Sequence, residues 1–321
     1  MKLNSSNMTF LSMLILTTTM TMSSNNILMM WMAMEMNLIS FMPILTKSKK
    51  MKDFSMKYLI IQSTASSLLL MSILINLTIE CPINESVILM ISMLMKLGMM
   101  PFHLWMPTLM SSSSWNTCML MMTIQKLIPV SITLQMIQVK MMLTPMIISM
   151  IMAPMVMMVQ TSTKKIMAYS SISNTPMMLM SMMNSKFQFL MFMSSYSVIT
   201  LSITNLMKKL NLIHINQMNS QSKWIKLMTM VNMLSMSGMP PMLGFFMKWI
   251  VIQLSMKMSM LLTTSIILSS IISTYAYLNM IIPTMSTFST NKLTKKSLKS
   301  EEFLTMINTT GLPLMMILKL N

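Results

Sequence analysis

Long apolar runs follow one another along almost the whole of this sequence. Most runs are about 18–24 residues long, close to the roughly 20 residues that an α-helix needs to cross a bilayer. They do not alternate with a period of two residues, as the strands of a membrane β-barrel would. Hydrophobic residues make up 54% of the chain and charged residues only 9%, compared with about 25% in a soluble domain. The sequence therefore predicts an all-α, polytopic membrane protein.

The apolar runs predict about eleven transmembrane helices joined mostly by short loops. The fourth run is interrupted by Pro101, and the ninth contains Gly238, Pro240, Pro241 and Gly244. Proline and glycine inside a helix break or kink it, so both runs predict broken helices. The predicted spans are 8–24, 27–45, 56–79, 86–106, 115–137, 141–159, 163–183, 187–207, 225–254, 260–282 and 303–320.

The basic residues between the spans predict the topology. All 23 basic residues are lysine. With eleven spans, 16 loop lysines fall on the side of the N-terminus and four on the opposite side. Since cytoplasmic or matrix loops carry the excess of positive charge, the N-terminus is predicted to face the side on which the chain is made. The lysines counted on that side are Lys2, Lys47, Lys49, Lys50, Lys52, Lys57, Lys164, Lys165, Lys208, Lys209, Lys223, Lys226, Lys292, Lys295, Lys296 and Lys299.

The amino-acid usage indicates an organelle gene. There are 58 methionines, only four glycines and no arginine. No folding requirement selects methionine over leucine and isoleucine so strongly, whereas a very AT-rich gene read with AUA as methionine does. Many animal mitochondria use that code. We therefore expect a mitochondrial inner-membrane protein with its N-terminus in the matrix and its C-terminus in the intermembrane space.

The formal net charge of +17 suggests a nucleic-acid partner at first sight. The lysines lie in short loops between apolar runs, however, where they set topology and form no continuous basic surface. We therefore expect the phospholipid bilayer, and no nucleic acid, as the partner of this charge. The two cysteines, Cys81 and Cys118, have no spacing typical of a metal or redox site, and no metal site is predicted.

Four charged residues remain inside the predicted spans: Glu35, Lys96, Lys126 and Lys248. A charge at the centre of a membrane helix costs about 2.5–3.5 kcal/mol on insertion scales. Lys96 lies nearer one end of its span and could extend to the interface. Lys126 lies about 18 Å along its helix and cannot easily do so. The four together cost on the order of 10 kcal/mol, which indicates a function that requires them.

Each of the three lysines lies near a helix breaker, as the ion sites of transporters do. A buried lysine can exist as a neutral amine, whereas a nearby carboxylate favours the ammonium. If Glu35 approaches Lys96, moving either partner switches the lysine between holding and releasing a proton. The pattern predicts a proton path through the four residues. His103 would share a face with Lys96 if the helix continued through the break, so it is a further candidate.

The two broken spans also predict an internal repeat. They are five spans apart, and an odd offset means that they cross the membrane in opposite directions. We expect a single membrane domain over 1–321, built from inverted five-helix repeats at 1–137 and 141–282. The last helix, 303–320, would lie outside the repeats.

Five segments resemble one known family. They are WMAMEMNLISFMPIL around Glu35, KLGMMPFHLWMP, MMTIQKLIP around Lys126, KKIMAYSSIS, and LSMSGMPPMLGFFMKWIVIQ around Lys248. In this order they resemble subunit 2 of mitochondrial NADH:ubiquinone oxidoreductase (respiratory complex I), of arthropod type. The resemblance implies an ion pair between Glu35 and Lys96, a central relay at Lys126, and a place for Lys248 in the exit half-channel.

The resemblance also implies the wider function. The family is an antiporter-like subunit of the membrane arm, in which eleven helices and inverted repeats are expected. Proton translocation would be coupled to NADH:ubiquinone electron transfer in partner subunits. The sequence has no nucleotide-binding loop, iron–sulfur cysteine set or flavin motif, so we expect NADH, quinone, flavin and iron–sulfur clusters only in partner subunits. In one departure, Asn174 and Pro176 stand where the family commonly has histidine and glycine.

Two other functions fit the same buried charges. A self-contained secondary transporter, such as a cation/proton antiporter, would need similar lysines, and a free, active monomer would favour it. A purely structural subunit would use the charges only to pack against one another. It is distinguished from a proton path by whether removal of Lys126 changes the number of protons moved.

Overall fold

The computed structural model describes residues 5–46, 52–78, 82–136, 139–220, 222–286 and 299–310. In these ranges the regular structure is helical, and the β pairing there is an isolated antiparallel bridge between Ser162 and His214. The predicted all-α class is confirmed. The chain divides into two compact units, Met1–Ser149 and Met150–Asn321.

The helices of the first unit are paired by their apolar faces. The bounds are α1 Ser5–Ser23, α2 Ile27–Leu45, α3 Lys52–Thr78, α4 Pro82–Leu97, α5 Trp105–Ser112, α6 Trp115–Met122, α7 Ile124–Met136 and α8 Val139–Val159, within which the first unit ends. Helix α1 packs on α2 and α7, α3 packs on α2, α4 and α5, and α4 also packs on α7.

The second unit continues the chain with α9 Thr163–Asn184, α10 Lys186–Lys209, a 3₁₀ helix Ile215–Ser220, α11 Lys223–Ser237, α12 Leu243–Met258, α13 Met260–Ser286 and α14 Lys299–Asn308. This unit is built around α12, which packs on α9, α10, α11 and α13. Helix α14 packs on α10 and α11, where Asn308 Nδ2 donates to Ser202 Oγ at 2.8 Å and to Asn232 Oδ1 at 2.6 Å.

Within the described ranges, five helices are long and apolar enough to cross a membrane: α2, α3, α8, α10 and α13. The chain is therefore a multi-pass membrane protein, as predicted. Three other predicted spans, the fourth, fifth and ninth, are each divided into shorter helices. The end of the predicted span 303–320, from residue 311 onward, lies outside the described residues. The count of eleven crossings stays a prediction.

Hydroxyl side chains inside the helices bond mainly to their own backbone. Ser72, Ser131, Ser171 and Thr200 are buried, and each donates to the carbonyl oxygen three residues earlier. This local bond satisfies a polar group that would be costly to leave unpaired in an apolar interior. A serine inside a helix of this protein is therefore no sign of a site unless it has a second partner.

The fourth apolar run breaks at the predicted place. Helix α4 ends at Leu97, and Gly98 follows in the left-handed conformation with a φ of 65°. Trp105, which was predicted to lie near the end of the span, instead begins α5. Its Nε1 donates to the carbonyl oxygen of Met95 at 3.1 Å, and the same oxygen accepts from the Gly98 N–H at 3.3 Å, so both groups hold the end of α4.

The fifth apolar run is also broken, which the sequence did not predict. Helix α6 ends at Met122, Thr123 has φ −110° and ψ −84°, and α7 begins at Ile124. Pro129 lies inside α7. A proline ring clashes with the turn before it, so the disruption falls on the N-terminal side of Pro129. Lys126 therefore lies in the first turn of α7, three residues after the break.

The ninth apolar run is divided into α11 and α12, which approach each other closely. Helix α11 ends at Ser237, and Gly238 caps it in the left-handed conformation with a φ of 79°. Its N–H donates to Ser235 O at 3.2 Å. A Cβ atom added to Gly244 in the first turn of α12 would collide with that same Ser235 carbonyl group. Glycine at position 244 therefore allows α12 to pack against the end of α11.

Replacing Gly244 by alanine should separate α11 from α12, because the new methyl group meets backbone that cannot move aside. We expect Gly244→Ala to cost about 1–3 kcal/mol of stability, as overpacking of a close contact does. Limited proteolysis of the membrane-embedded chain measures this loss as faster cleavage. Met256→Ala places the same residue at an exposed position of α12 and should cleave at the original rate. Equal cleavage of the two variants would contradict the close approach.

Candidate functional site

Lys96 and Lys126 meet at one cavity in the first unit. The cavity has a volume of about 40 Å³ and is lined by residues of six helices, α2 to α7. Both lysines are buried, with 8% and 3% of their surface exposed. A water molecule needs about 10–15 Å³ on this measure. The cavity therefore has room for a few water molecules between two buried amines that are 30 positions apart in the sequence.

Amide side chains line the same cavity. Asn37 on α2 donates from Nδ2 to Oε1 of Gln125 on α7 at 2.7 Å. That bond leaves Gln125 Nε2 buried and without a hydrogen-bond partner among the described residues. Gln62 from α3 adds a third amide to the lining. Because buried polar groups are normally satisfied, the free donor of Gln125 favours water in this cavity.

Aromatic rings close the side of the cavity next to the first break. Tyr58 is 4% exposed and lies between two other rings. Its ring centroid is 5.7 Å from that of Phe41 and 5.6 Å from that of Trp105, at angles of 68° and 54°. These are the edge-on and tilted contacts that aromatic pairs favour. They fix Trp105 next to Lys96 at the end of α4.

Glu35 lies close to this cavity but outside its lining. Its charge interacts with that of Lys96. One of its carboxylate oxygens, Oε1, is buried without a hydrogen-bond partner among the described residues. The arrangement places a carboxylate in electrostatic range of a buried ammonium.

His103 lies apart from the cavity. Since α4 ends at Leu97, the helical face that would have joined His103 to Lys96 does not continue through the break. The ring is partly exposed in the segment between α4 and α5, and its Nδ1 lies 3.2 Å from the carbonyl oxygen of Pro101. The structure does not bring His103 to the cavity that Lys96 lines.

Lys248 lies in the second unit, at the other long break. Its Nζ donates to the carbonyl oxygen of Ser237 at 2.5 Å and to Ser273 Oγ at 3.3 Å. Ser237 is the last residue of α11, so its carbonyl group has no partner in the helix. The negative end of a helix dipole stabilises a nearby cation. The end of α11 is therefore a favourable place for the Lys248 ammonium.

Gly238 makes room for this contact. A Cβ atom added there would lie 2.7 Å from Lys248 Cδ and 2.9 Å from Lys248 Cε. The lysine side chain thus passes directly over the glycine on its way to Ser237. The motif SGMPP supplies a helix end, a left-handed residue and a path for the side chain at once.

A second, smaller cavity adjoins Lys248. It has a volume of about 10 Å³ and is lined by side chains from α9, α11, α12 and α13. Asn174, which stands where the resembling family commonly has histidine, is part of this lining. Its polar lining residues are Ser170, Ser173, Asn174, Lys248, Ser269, Ser273 and Tyr277.

Sequence reasoning missed several polar residues at these two sites. Asn37 follows Glu35 by two positions and Gln125 precedes Lys126, so the proximity of an amide to a buried charge was an available signal. Tyr277 gave no such signal, since tyrosine is common in membrane helices. Lys226, assigned to a loop on the sequence, lies in the first turn of α11 and its side chain is buried.

Among the described residues, no group of three or more histidine, cysteine, aspartate or glutamate side chains could hold a metal ion.

The fold and the sequence both match proteins of one class. Residues 78–273 match the family model "NADH:quinone oxidoreductase/Mrp antiporter, TM". The chain is similar in fold to a chain of respiratory complex I from Thermus thermophilus solved with bound aureothin. The TM-score is 0.82 at 17% sequence identity, over 97% of this chain and 78% of that one. The fold is thus that of the antiporter-like membrane proteins.

Relatives of higher identity narrow the class. The chain is 39% identical over 261 residues to NADH-ubiquinone oxidoreductase chain 2 of Locusta migratoria, covering 78% of this chain and 76% of the relative. It is 36% identical over 290 residues to that of Anopheles gambiae, covering 86% and 84%. The chain belongs to the NADH-ubiquinone oxidoreductase chain 2 family, which confirms the predicted family.

Replacing Gly238 by alanine should displace Lys248 from the end of α11. A non-glycine residue in the left-handed conformation costs about 1–2 kcal/mol, and here its methyl group also meets the lysine side chain. Gly98→Ala is the matched control, because Gly98 is also left-handed but its added Cβ would meet the Trp105 ring. In structures of the variants, the distance from Lys248 Nζ to Ser237 O should lengthen only in Gly238→Ala. An unchanged distance there would contradict the role of Gly238.

Proposed function

We propose that this chain is the antiporter-like subunit of the respiratory complex I membrane arm that its relatives are named for, and that it moves protons across the mitochondrial inner membrane. The insect relatives at 36% and 39% identity support this function over that of a self-contained cation/proton antiporter. NADH, quinone, flavin and iron–sulfur clusters bind to partner subunits. This chain takes part in the enzyme through proton translocation and holds no cofactor.

The observation that carries the proposal is the cavity shared by Lys96 and Lys126. Two buried amines that line one cavity can exchange a proton through water, provided that the water is held by other polar groups. The Asn37 and Gln125 amides and Gln62 are such groups. A merely structural pair of lysines would gain nothing from a cavity, because empty space between them loses packing contacts.

The four charged residues take different roles. Glu35 stabilises the charge of Lys96, and a change in their separation loads or releases the proton on Lys96. Lys126 receives it and acts as the central relay. Lys248 belongs to the exit half-channel. Groups coupled in this way titrate together and not one by one. His103, which lies apart from the Lys96 cavity, has no step in this scheme.

The membrane placement follows from the lysines in the loops. The N-terminus lies in the matrix and the C-terminus in the intermembrane space, since the eleven predicted spans put 16 lysines in or near connections on the N-terminal side, one of them the buried Lys226, and four on the other side. This orientation requires an odd number of crossings, and eleven satisfies it. Proton movement toward the intermembrane space would then run away from the lysine-rich side.

An inverted repeat accounts for the two long breaks. We place the repeats at 1–137 and 141–282, with a last helix at 303–320. In support, α4 and α11 both end on a left-handed glycine, Gly98 and Gly238, and each break has a buried lysine beside it. Two helices of like construction in corresponding positions of two halves are typical of transporter repeats.

Removing the central amine tests the relay. We expect Lys126→Met in assembled complex I to slow NADH-driven proton translocation roughly 100-fold, the low end for a lost proton-transfer group. Lys257→Met is the control, since Lys257 is an exposed lysine in the last turn of α12. Proton release and NADH oxidation are measured together in vesicles. If Lys126→Met pumps as many protons per NADH as the unchanged complex at the same rate, the relay role is refuted.

A double-mutant cycle tests the pairing of Glu35 with Lys96. Glu35→Gln and Lys96→Met each remove one charge, and each should slow proton translocation. If the carboxylate acts through the lysine, the double variant should be little slower than Lys96→Met alone. The coupling should correspond to about 0.5–3 kcal/mol in the activation free energy. Independent, additive losses would show that Glu35 acts elsewhere.

A further inference from the structure

We infer that the hydroxyl group of Tyr277 on α13 transfers protons between Lys248 and Ser170, as a further group in the proton path. The inference rests on the proposed function of Lys248. In this inference the proton moves from Lys248 to helix α9 through the neutral side chain of Tyr277. The geometry around Lys248, the cavity that Tyr277 shares with Ser170 and the free hydroxyl of Tyr196 support it.

The ammonium of Lys248 has one N–H left for the cavity. Two of its three protons are directed at Ser237 O and Ser273 Oγ. Ser273 donates its own hydroxyl proton to Ser270 O at 2.9 Å, so it accepts from the lysine and cannot carry the proton onward without turning. Tyr277 lines the same cavity of about 10 Å³, which is close to the volume of one water molecule. Tyr277 is thus within reach of Lys248, directly or through one water.

Tyr277 faces α9 across this cavity. Ser170 on α9 lines the same cavity as Tyr277 and Lys248. Ser170 Oγ donates to the carbonyl oxygen of Met167 at 2.8 Å, so its lone pairs can accept a proton from a neighbouring hydroxyl group. Tyr277 is therefore placed between Lys248 and an acceptor on α9.

A second buried tyrosine gives the cluster an alternative arrangement. Tyr196 on α10 has no exposed surface. Its hydroxyl lies near Tyr277 and the Asn174 amide, yet it makes no full hydrogen bond among the described residues. A buried hydroxyl left in this state costs about 1–3 kcal/mol. The cost is recovered whenever the Tyr277 hydroxyl or a water turns toward it, so Tyr196 favours movement of protons in this cluster.

The proton step leaves no charge on the tyrosine. The Lys248 ammonium breaks one N–H bond and its proton forms an O–H bond on Tyr277. The original hydroxyl proton of Tyr277 passes to Ser170 Oγ, and Ser170 turns its own proton away from Met167 O and gives it to a water of the path. The two hydroxyl oxygens each form one O–H bond and break one, the water takes up the positive charge, and Lys248 ends as a neutral amine. The reverse sequence reloads the lysine.

Removing only the hydroxyl tests the inference. Tyr277→Phe keeps the ring and its packing, and in assembled complex I it should slow NADH-driven proton translocation about tenfold. This loss is smaller than that for a removed amine, because a water can occupy part of the vacated space. Tyr275→Phe is the matched control, since Tyr275 is two residues away on α13 and 53% exposed. It should pump at the original rate.

The isotope effect separates a relay from a structural hydroxyl. When the rate is compared in H₂O and D₂O, Tyr277→Phe should show a different solvent isotope effect from the unchanged complex, because proton transfer at this point has become slower. A variant that assembles normally and pumps with an unchanged rate and isotope effect overturns the inference. Lower yield with unchanged activity per assembled complex also overturns it, since the hydroxyl then serves folding only.

Lys248→Met distinguishes failure of this inference from failure of the proposed function. If Lys248→Met stops pumping and Tyr277→Phe does not slow it, the proposed function stands and the tyrosine relay is wrong. If Lys248→Met pumps normally, the proposed path itself is wrong, and the relay falls with it. If both variants slow pumping and Tyr275→Phe does not, the relay is supported.

Discussion

A buried ammonium needs oxygen atoms around it, and for Lys248 this protein supplies one of them from the carbonyl end of an interrupted helix. A complete helix has no free carbonyl group at mid-membrane, because each one accepts a bond from the next turn. Where α4 ends, Lys96 is part of the last turn. Where α11 ends, Lys248 reaches back from α12 to the last carbonyl group. At each of these two breaks a buried lysine lies beside the end of a helix. A broken helix without the lysine, or a buried lysine without the helix end, would be costly.

Lys126 occupies the opposite kind of helix end. It lies in the first turn of α7, the end of a helix that carries a partial positive charge. That end of the helix dipole does not stabilise a nearby cation. A path in which protons pause at the ends and pass quickly through the middle needs this contrast, because a central group that held its charge firmly would trap it. The polarity of three helix ends thus matches the roles proposed for the three lysines.

Much of this arrangement could be predicted from the sequence, and the remainder depends on contacts between helices. Run lengths predicted the all-α membrane fold, and Pro101 together with the Gly238–Gly244 segment predicted where two helices break. The break at Thr123 was missed, because the effect of Pro129 falls on the turn before it. His103 would share a face with Lys96 only if the helix continued through the break, and α4 ends at Leu97. The pairing of Asn37 with Gln125 was not predictable, since 88 positions separate them and an amide gives no sign of its partner.

Three of the four glycines lie at helix breaks: Gly98, Gly238 and Gly244, while Gly311 is outside the described residues. Glycine codons begin with GG, so an AT-rich gene tends to lose them by mutation. Asn211 is also left-handed, with a φ of 50°, so that conformation alone does not require glycine. At Gly238 and Gly244 a Cβ would in addition strike the side chain of Lys248 or the carbonyl group of Ser235. The few glycines that this gene retains thus mark places where a side chain would meet a close neighbour.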